Sequence, residues 1–287
     1  MSSFTRRALM ETSLAAAGAL TLSAAPVDAA QPVVRKGRIK QSVCRGPYGK
    51  IPLQDFCQAC AAMGLRGIDL LPPADWATPR QYGLICTMGY AGGGTISDGL
   101  NRTENHAAIE TAFRENIPLA AQHGVPNIIT FSGNRRGMPD DQGAENCIRA
   151  LNRLKPIAED HGVTICMELL NSKLMHPDYM CDHTAWGVSV MRAVNSPHVK
   201  LLYDAFHMQI MEGDLVRTVQ TNIDWIGHFH TGGVPGRHEL DDKQEVQWDG
   251  LMRGIAATGF QGYVAHEFSP TRDPLTSLRQ AVDLCDV

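Results

Sequence analysis

The stretch KLLYDAFHMQIMEGDL, Lys200 to Leu215, contains a strand-to-helix transition of the kind that recurs along the chain. Its first residues form a short apolar run, which predicts a buried strand, and Asp204 ends that run. His207 follows three positions later. A single carboxylate at the end of a strand is often only a helix cap, so its meaning depends on how the other strands end.

Short apolar runs alternate with longer amphipathic segments from residue 38 onwards. The runs predict eight strands, at 38–43, 66–70, 84–88, 127–130, 163–168, 199–204, 225–230 and 262–267. Helices are predicted near 52–63, 101–123, 142–160, 183–194, 212–222, 248–257 and 271–285. A strand-helix repeat of about thirty residues is typical of βαβ units and a parallel sheet. Eight units predict an α/β fold, a single-domain (β/α)8 TIM barrel over residues 30–287. A doubly wound sheet is the rival, but the sequence has no GxGxxG motif.

Glycine and proline mark the boundaries of these elements. Gly124 and Gly162 each follow a predicted helix and precede a strand, which is a helix-stop signal. Pro72, Pro73 and Pro79 lie between the second and third strands. Because proline disrupts a helix, we expect irregular structure there instead of a crossover helix.

The first 29 residues have a different composition from the rest. Arg6 and Arg7 precede an apolar run over residues 14–25, and Val27 and Ala29 form a small-residue pair suited to a signal peptidase. The run is too short to span a bilayer as a membrane anchor, and a disordered tail is the other alternative. The segment TRRALM resembles a twin-arginine export signal, which implies a cleaved signal peptide over 1–29, a periplasmic location and no stable membrane insertion after cleavage.

Charge and cysteine content narrow the classes of partner. The formal net charge is −4 and the pI is about 6.2, and no basic stretch is long enough to predict binding to nucleic acid or to an anionic membrane. Eight cysteines are present, and Cys57 and Cys60 have CxxC spacing on a predicted helix. Without a second CxxC or a thioredoxin-like context, we expect them to pack as small apolar side chains. The sequence leaves open whether the protein is a monomer or a homo-oligomer.

Four consecutive predicted strands end in residues that can bind a metal. These are Glu168, Asp204, His230 and Glu267. In a barrel these ends surround one mouth, where active sites lie. Three unpaired acids there would repel each other, and a divalent cation removes that cost. The oxygen-rich set with one imidazole favours Mn²⁺ or Mg²⁺ over zinc. His228 lies on the same strand face as His230, one layer deeper.

Several segments resemble one branch of a known family. MELLNS (167–172), YDAFHMQIMEGDL (203–215), IGHFHTGGVPGRHELD (226–241) and AHEFSP (265–270) look like the hydroxypyruvate isomerase branch of the xylose isomerase-like barrels, which also include AP endonuclease family 2. The resemblance implies one divalent metal held by two glutamates, an aspartate and a histidine or glutamine, which match Glu168, Glu267, Asp204 and His230. Isomerases of this branch often have glutamine where His230 stands, whereas sugar epimerases have histidine, so the substrate stays open.

This ligand set suits proton transfer on an α-hydroxy carbonyl compound. A metal that chelates both substrate oxygens would stabilise an enediolate, and Glu168 and Glu267 would remove and return the proton. His207 is expected to contact a substrate oxygen, mainly on the resemblance. Arg237 either binds a substrate carboxylate or pairs with Glu239 or Asp241 on the surface. Weaker candidates for the pocket are Lys173, His183 and Asn134.

Four functions remain in competition on the sequence alone. The first is isomerisation of hydroxypyruvate to tartronate semialdehyde, or of a close analogue. The second is 3-epimerisation of a ketose. The third is a zinc phosphodiesterase acting on DNA, which the acidic balance and the lack of histidine at the second and third strand ends disfavour. The fourth is an exported, non-catalytic sugar or acid binder.

Overall fold

A closed barrel of eight parallel strands forms the centre of the structure. The computed structural model describes residues 33–287, so the predicted signal segment lies outside the described residues. Each strand pairs with its neighbours in chain order, and the eighth pairs with the first. The predicted TIM barrel is therefore confirmed. Strands β1 to β8 are Lys40–Cys44, Gly67–Leu71, Ile85–Tyr90, Asn127–Thr130, Thr164–Glu168, Val199–Asp204, Ile226–Thr231 and Tyr263–His266.

Helices follow seven of the eight strands in the described part of the chain. They are α1 to α8, at Leu53–Ala62, His106–His123, Asp140–His161, Thr184–Val194, Ala205–Met211, Leu215–Asn222, Trp248–Ala257 and Pro274–Leu284. Gly124 and Gly162 end α2 and α3 in the left-handed conformation, as predicted. None of the helices within residues 33–287 is both long and apolar enough to cross a membrane.

The connection from β6 to β7 differs from the prediction of one helix over 212–222. A further short helix, α5, starts directly after β6, because the Asp204 side chain caps it by accepting a 3.1 Å hydrogen bond from the His207 backbone. Gly213 and Asp214 have φ values of 66° and 46°, and this left-handed pair separates α5 from α6. The connection from β2 to β3 is irregular, as predicted, with short 3-10 turns at Pro73–Asp75 and Thr78–Tyr82.

The barrel interior contains an apolar cluster and a polar cluster. Met88, Ile129, Cys166 and Leu202, from β3 to β6, form the apolar cluster. In the polar cluster, the side chains of Ser42, Thr87, His228 and His230 contact the buried carboxylate of Asp69. The main hydrophobic core includes Cys57 and Cys60, which confirms their packing role; all eight cysteines are free and buried.

We predict that Gly89→Ala destabilises the barrel by about 1–3 kcal/mol, the usual cost of overpacking a core. A Cβ at Gly89 would lie 2.7 Å from the indole ring of Trp76, which is fully buried and donates a 2.9 Å hydrogen bond to the Leu71 carbonyl. Chemical denaturation measures the change in the free energy of unfolding. As the control, Gly46→Ala meets nothing within 4 Å and should change stability by less than about 0.5 kcal/mol. Equal effects of the two substitutions would contradict the packing of Trp76 on Gly89.

Candidate active site

Four potential metal ligands meet at the carboxyl end of the barrel. Glu168 ends β5, Asp204 ends β6, His230 lies near the end of β7 and Glu267 directly follows β8. One ligand atom from each lies within 4.8 Å of those of the other three. From His230 Nδ1 the distance is 3.3 Å to Glu168 Oε1 and 2.7 Å to Glu267 Oε2. These four residues meet because the carboxyl ends of the strands in a closed barrel surround one opening.

The chemistry of these donors fits a divalent cation. His230 Nδ1 is buried and makes no hydrogen bond, even though Glu267 Oε2 is near. No hydrogen bond therefore competes with a cation for this nitrogen. Three carboxylates and one imidazole form an oxygen-rich set of the kind that holds a divalent cation.

Arg237 supplies positive charge to the same carboxylates. Its Nη2 donates hydrogen bonds of 2.5 Å to Asp204 Oδ2 and 2.6 Å to Glu267 Oε2, and its Nε donates to the Glu267 carbonyl at 2.9 Å. The guanidinium lies over the Phe206 ring, 5.0 Å from its centroid, and Arg237 has a left-handed φ of 58°. The surface pairing with Glu239 or Asp241 does not form, since both of those acids pair with Arg272.

The two glutamates have opposite pKa shifts. Burial raises the pKa of Glu168 to about 7. Burial also opposes ionisation of Glu267, but the Arg237 guanidinium and His230 outweigh it and lower the pKa of that carboxyl. Two nearby carboxyls whose pKa values are driven apart can serve as an acid and a base.

His207 is held as a hydrogen-bond acceptor at Nδ1. That nitrogen accepts from the backbone N–H of Asn171 at 3.0 Å and from Asn171 Nδ2 at 2.7 Å. The amide orientation of Asn171 is fixed, because its Oδ1 accepts from two backbone N–H groups. Burial and the nearby Arg237 hold the pKa of His207 well below its ordinary value, so the ring is neutral. The Nε2 atom lies 2.5 Å from Arg237 Nη1.

A cavity of about 290 Å³ opens above this cluster. Glu168, His207, Arg237 and Glu267 line its polar side, and its other side is mainly apolar, with Leu70, Tyr90, Ile96, Ile129, Phe131, Leu170 and Met175. A neighbouring groove of about 500 Å³ shares Tyr90, Ile96, Phe131 and His176 with the cavity. A substrate thus has room beyond the reacting groups.

Sequence reasoning missed Asp69, a buried carboxylate on β2. Its Oδ2 lies 2.5 Å from His228 Nε2 and 3.2 Å from His230 Nε2, directly beneath the four ligands. Although burial opposes ionisation, contact with His228 and His230 lowers the pKa of Asp69. The signal in the sequence is an acid inside the apolar run RGIDL, one residue before the end of the predicted strand. Asn171, which orients His207, was missed as well.

The structure does not bring the weaker pocket candidates into the cavity. Lys173 donates 3.0 Å hydrogen bonds to the carbonyls of Ile210 and Met211 at the carboxyl end of α5, where a cation is favoured. His183 is half exposed at the start of α4 and pairs with Asp182 at 2.8 Å. Asn134 lines the neighbouring groove.

The fold and the site together define a TIM barrel with a cluster of carboxylates and histidine at the carboxyl ends of its strands. The model of the family described as xylose isomerase-like TIM barrel matches residues 40–286. The chain therefore belongs to that family.

Two similar proteins have names that refer to isomerisation. The putative hydroxypyruvate isomerase of Xenopus laevis is 28% identical over 173 residues, which are 58% of this chain and 63% of that protein, so the match spans less than two-thirds of the relative. The 2-oxo-tetronate isomerase of Cupriavidus necator is 27% identical over 237 residues, 78% of this chain and 89% of that protein. Among solved structures, an AP endonuclease, family 2, from Brucella melitensis has a TM-score of 0.72 at 24% identity, covering 84% of this chain and 97% of that one. This last likeness concerns the fold alone.

We predict that Asp204→Asn weakens Mn²⁺ binding by about 100-fold or more, beyond the 10–100-fold typical of groups outside the ligand sphere. The substitution removes the charge of a fully buried member of the cluster. Titration followed by the EPR signal of free Mn²⁺ measures the affinity. Asp214→Asn is the matched control: its carboxylate is on the surface, and asparagine tolerates the left-handed φ of 46°. Unchanged Mn²⁺ affinity in Asp204→Asn would mean that this cluster is not the cation site.

Proposed function

We propose that the protein is a cation-dependent isomerase of a small α-hydroxy carbonyl acid, with conversion of hydroxypyruvate to tartronate semialdehyde as the leading reaction. The observation that carries the proposal is the meeting of Glu168 and Glu267 at His230, beneath a cavity that Arg237 and His207 also line. The names of the two relatives, a hydroxypyruvate isomerase and a 2-oxo-tetronate isomerase, support the same class of reaction.

Glu168, Asp204, His230 and Glu267 would hold one Mn²⁺ or Mg²⁺ ion. When bound, the ion supplies Lewis acidity to the carbonyl and hydroxyl oxygens of the substrate.

The two glutamates would carry the proton transfer. Glu267, ionised beside Arg237, accepts the proton from the hydroxymethyl carbon, and the C–H electrons form the enediolate of the substrate. Glu168, at the end of β5, donates a proton to the neighbouring carbon. The hydroxyl proton moves between the two substrate oxygens, which completes the isomerisation. The reverse reaction exchanges the two roles.

Arg237 and His207 would orient the substrate. Asp204 and Glu267 engage Nη2 and Nε of Arg237, which leaves Nη1 to donate to a substrate carboxylate. His207 lines the same side of the cavity, with its Nε2 2.5 Å from Arg237 Nη1, and Asn171 fixes the ring through Nδ1. A positive charge on this wall suits the oxygens of an acid better than an uncharged carbon chain.

Ketose 3-epimerisation is the second candidate, favoured by the size of the cavity. A three-carbon acid has only about seven non-hydrogen atoms, whereas pockets of about 300 Å³ and above hold drug-sized ligands. Here a cavity of about 290 Å³ continues into the groove of about 500 Å³. An epimerase would use the same two glutamates on opposite faces of one carbon.

We predict that Glu267→Gln lowers the rate of solvent deuterium exchange into the substrate by at least about 100-fold, the lower end of what a positioned base contributes. The amide keeps the shape of the side chain and removes its basicity, but it also takes one charge from the ligand set. Exchange is therefore compared at Mn²⁺ concentrations that saturate both proteins. NMR would follow exchange into hydroxypyruvate, a four-carbon 2-oxo acid and a panel of ketoses, with Mn²⁺ and with a chelator. The substrate that exchanges fastest, and the carbon that gains deuterium, separates isomerisation from epimerisation.

Glu245→Gln is the control for this experiment, since Glu245 is exposed on the loop after β7 and lies outside the cavity lining. Exchange should be unchanged in that variant. If the wild-type protein binds Mn²⁺ tightly but exchanges none of the compounds, proton transfer on these substrates is excluded. Release of phosphate or cleavage of DNA would then support the phosphodiesterase, and saturable sugar or acid binding without turnover would support the binder.

We further propose that the twin-arginine segment directs export to the periplasm. Replacing Arg6 and Arg7 together with lysine should retain the full-length protein in the cytoplasm of a bacterial host with that export pathway, because the arginine pair is the recognised feature. Cell fractionation and immunoblotting measure the distribution. Equal periplasmic amounts of both forms would reject this route of export.

A further inference from the structure

Asp69 contacts the candidate metal centre from below through two histidines. The carboxylate is fully buried, and its Oδ2 lies 3.2 Å from His230 Nε2 and 2.5 Å from His228 Nε2. We propose that Asp69 is a positioning residue: it keeps the His230 proton on Nε2 and fixes the ring so that Nδ1 faces the cation. This inference rests on the proposed cation site and assigns a role to a residue outside its ligand set.

The hydrogen bonds around Asp69 make it an acceptor on both oxygens. The hydroxyl groups of Ser42, at 3.0 Å, and of Thr87 donate to Oδ1, which leaves Oδ2 to the two imidazoles. The other neighbour of His230 Nε2 is the thiol of Cys44, at 3.5 Å. A neutral thiol is a weak acceptor beside a carboxylate, so the proton on Nε2 points to Asp69.

The backbone of β2 is distorted where Asp69 stands. Its pairing with β3 shifts register between Ile68 and Asp69 and again between Asp69 and Leu71. Leu70, between them, has a left-handed φ of 60°, a conformation that costs a non-glycine residue about 1–3 kcal/mol. Such irregularities redirect a side chain, and here the redirected side chain is the carboxylate under His230.

A second cation held by Asp69, His228 and His230 is the competing explanation for the same cluster. Two ligands at 90° on one ion, each about 2.1 Å from it, are about 3 Å apart. Asp69 Oδ2 and His228 Nε2 are only 2.5 Å apart. The spacing is that of a short hydrogen bond, so these residues support the upper site and do not form another one.

Two measurements test the role of Asp69, and neither depends on turnover. In wild-type protein labelled with ¹⁵N at histidine and loaded with diamagnetic Mg²⁺, long-range ¹H–¹⁵N correlations show which nitrogen of His230 carries the proton. His230→Gln identifies the signals. We expect the proton on Nε2, and a proton on Nδ1 would overturn the proposal.

In the second measurement, Asp69→Asn should weaken Mn²⁺ binding by roughly 10–100-fold, the effect typical of a residue that orients a ligand. Asp249→Asn, which changes only a surface pair with Arg253, is the matched control and should bind as the wild type does. Thr87→Val keeps the Asp69 charge but removes one orienting hydrogen bond, so it should give a smaller loss and serves if Asp69→Asn does not fold.

The outcomes separate this inference from the proposed reaction. If Asp69→Asn binds Mn²⁺ as tightly as the wild type does, the proposed role of Asp69 is wrong. It is also wrong if the wild-type chain binds two Mn²⁺ ions and the variant binds one. Weakened binding of a single ion in Asp69→Asn, with no deuterium exchange in the wild type, would support the role of Asp69 while rejecting the isomerase.

Discussion

The need to balance buried negative charge governs the active end of this barrel. Asp69, Glu168, Asp204 and Glu267 lie within one small volume, and an unpaired buried carboxylate costs several kcal/mol. Arg237 offsets part of this charge, and its left-handed backbone and its contact with Phe206 are what bring the guanidinium there. His230 connects the upper acids to Asp69 below. The loop after β7 and the distortion of β2 place Arg237 and Asp69, respectively, in this cluster.

The division of the barrel interior continues into the cavity above it. Met88, Ile129, Cys166 and Leu202 form the apolar part of the interior, while hydroxyls and imidazoles surround the Asp69 carboxylate in its polar part. The cavity repeats this pattern, with Leu70, Ile129 and Phe131 opposite Arg237 and Glu267. A molecule in this cavity would meet charge on one wall and apolar side chains on the other.

The sequence was informative where a residue's role follows from its position in a strand. The strand periodicity predicted the barrel, and the rule that strand ends share one mouth brought together Glu168, Asp204, His230 and Glu267. The sequence did not predict the role of Asp69, because this residue lies inside a strand whose register shifts at Leu70, and no periodic pattern encodes that shift. The sequence did not predict helix α5, because the start of this helix depends on a side-chain cap from Asp204. Lys173 was misplaced because a long flexible side chain can reach a helix end as easily as a cavity.

The burial of all eight cysteines has a consequence for the chemical durability of the chain. Disulfide exchange and thiol oxidation both require that the sulfur meets a reagent in solution. Burial also raises the pKa of thiols such as Cys147 and Cys166, which suppresses the reactive thiolate. A chain that folds before it enters an oxidising compartment would keep these thiols reduced without reductant for as long as it stays folded. The rate at which these thiols react with a reagent in solution would therefore measure how often the barrel opens.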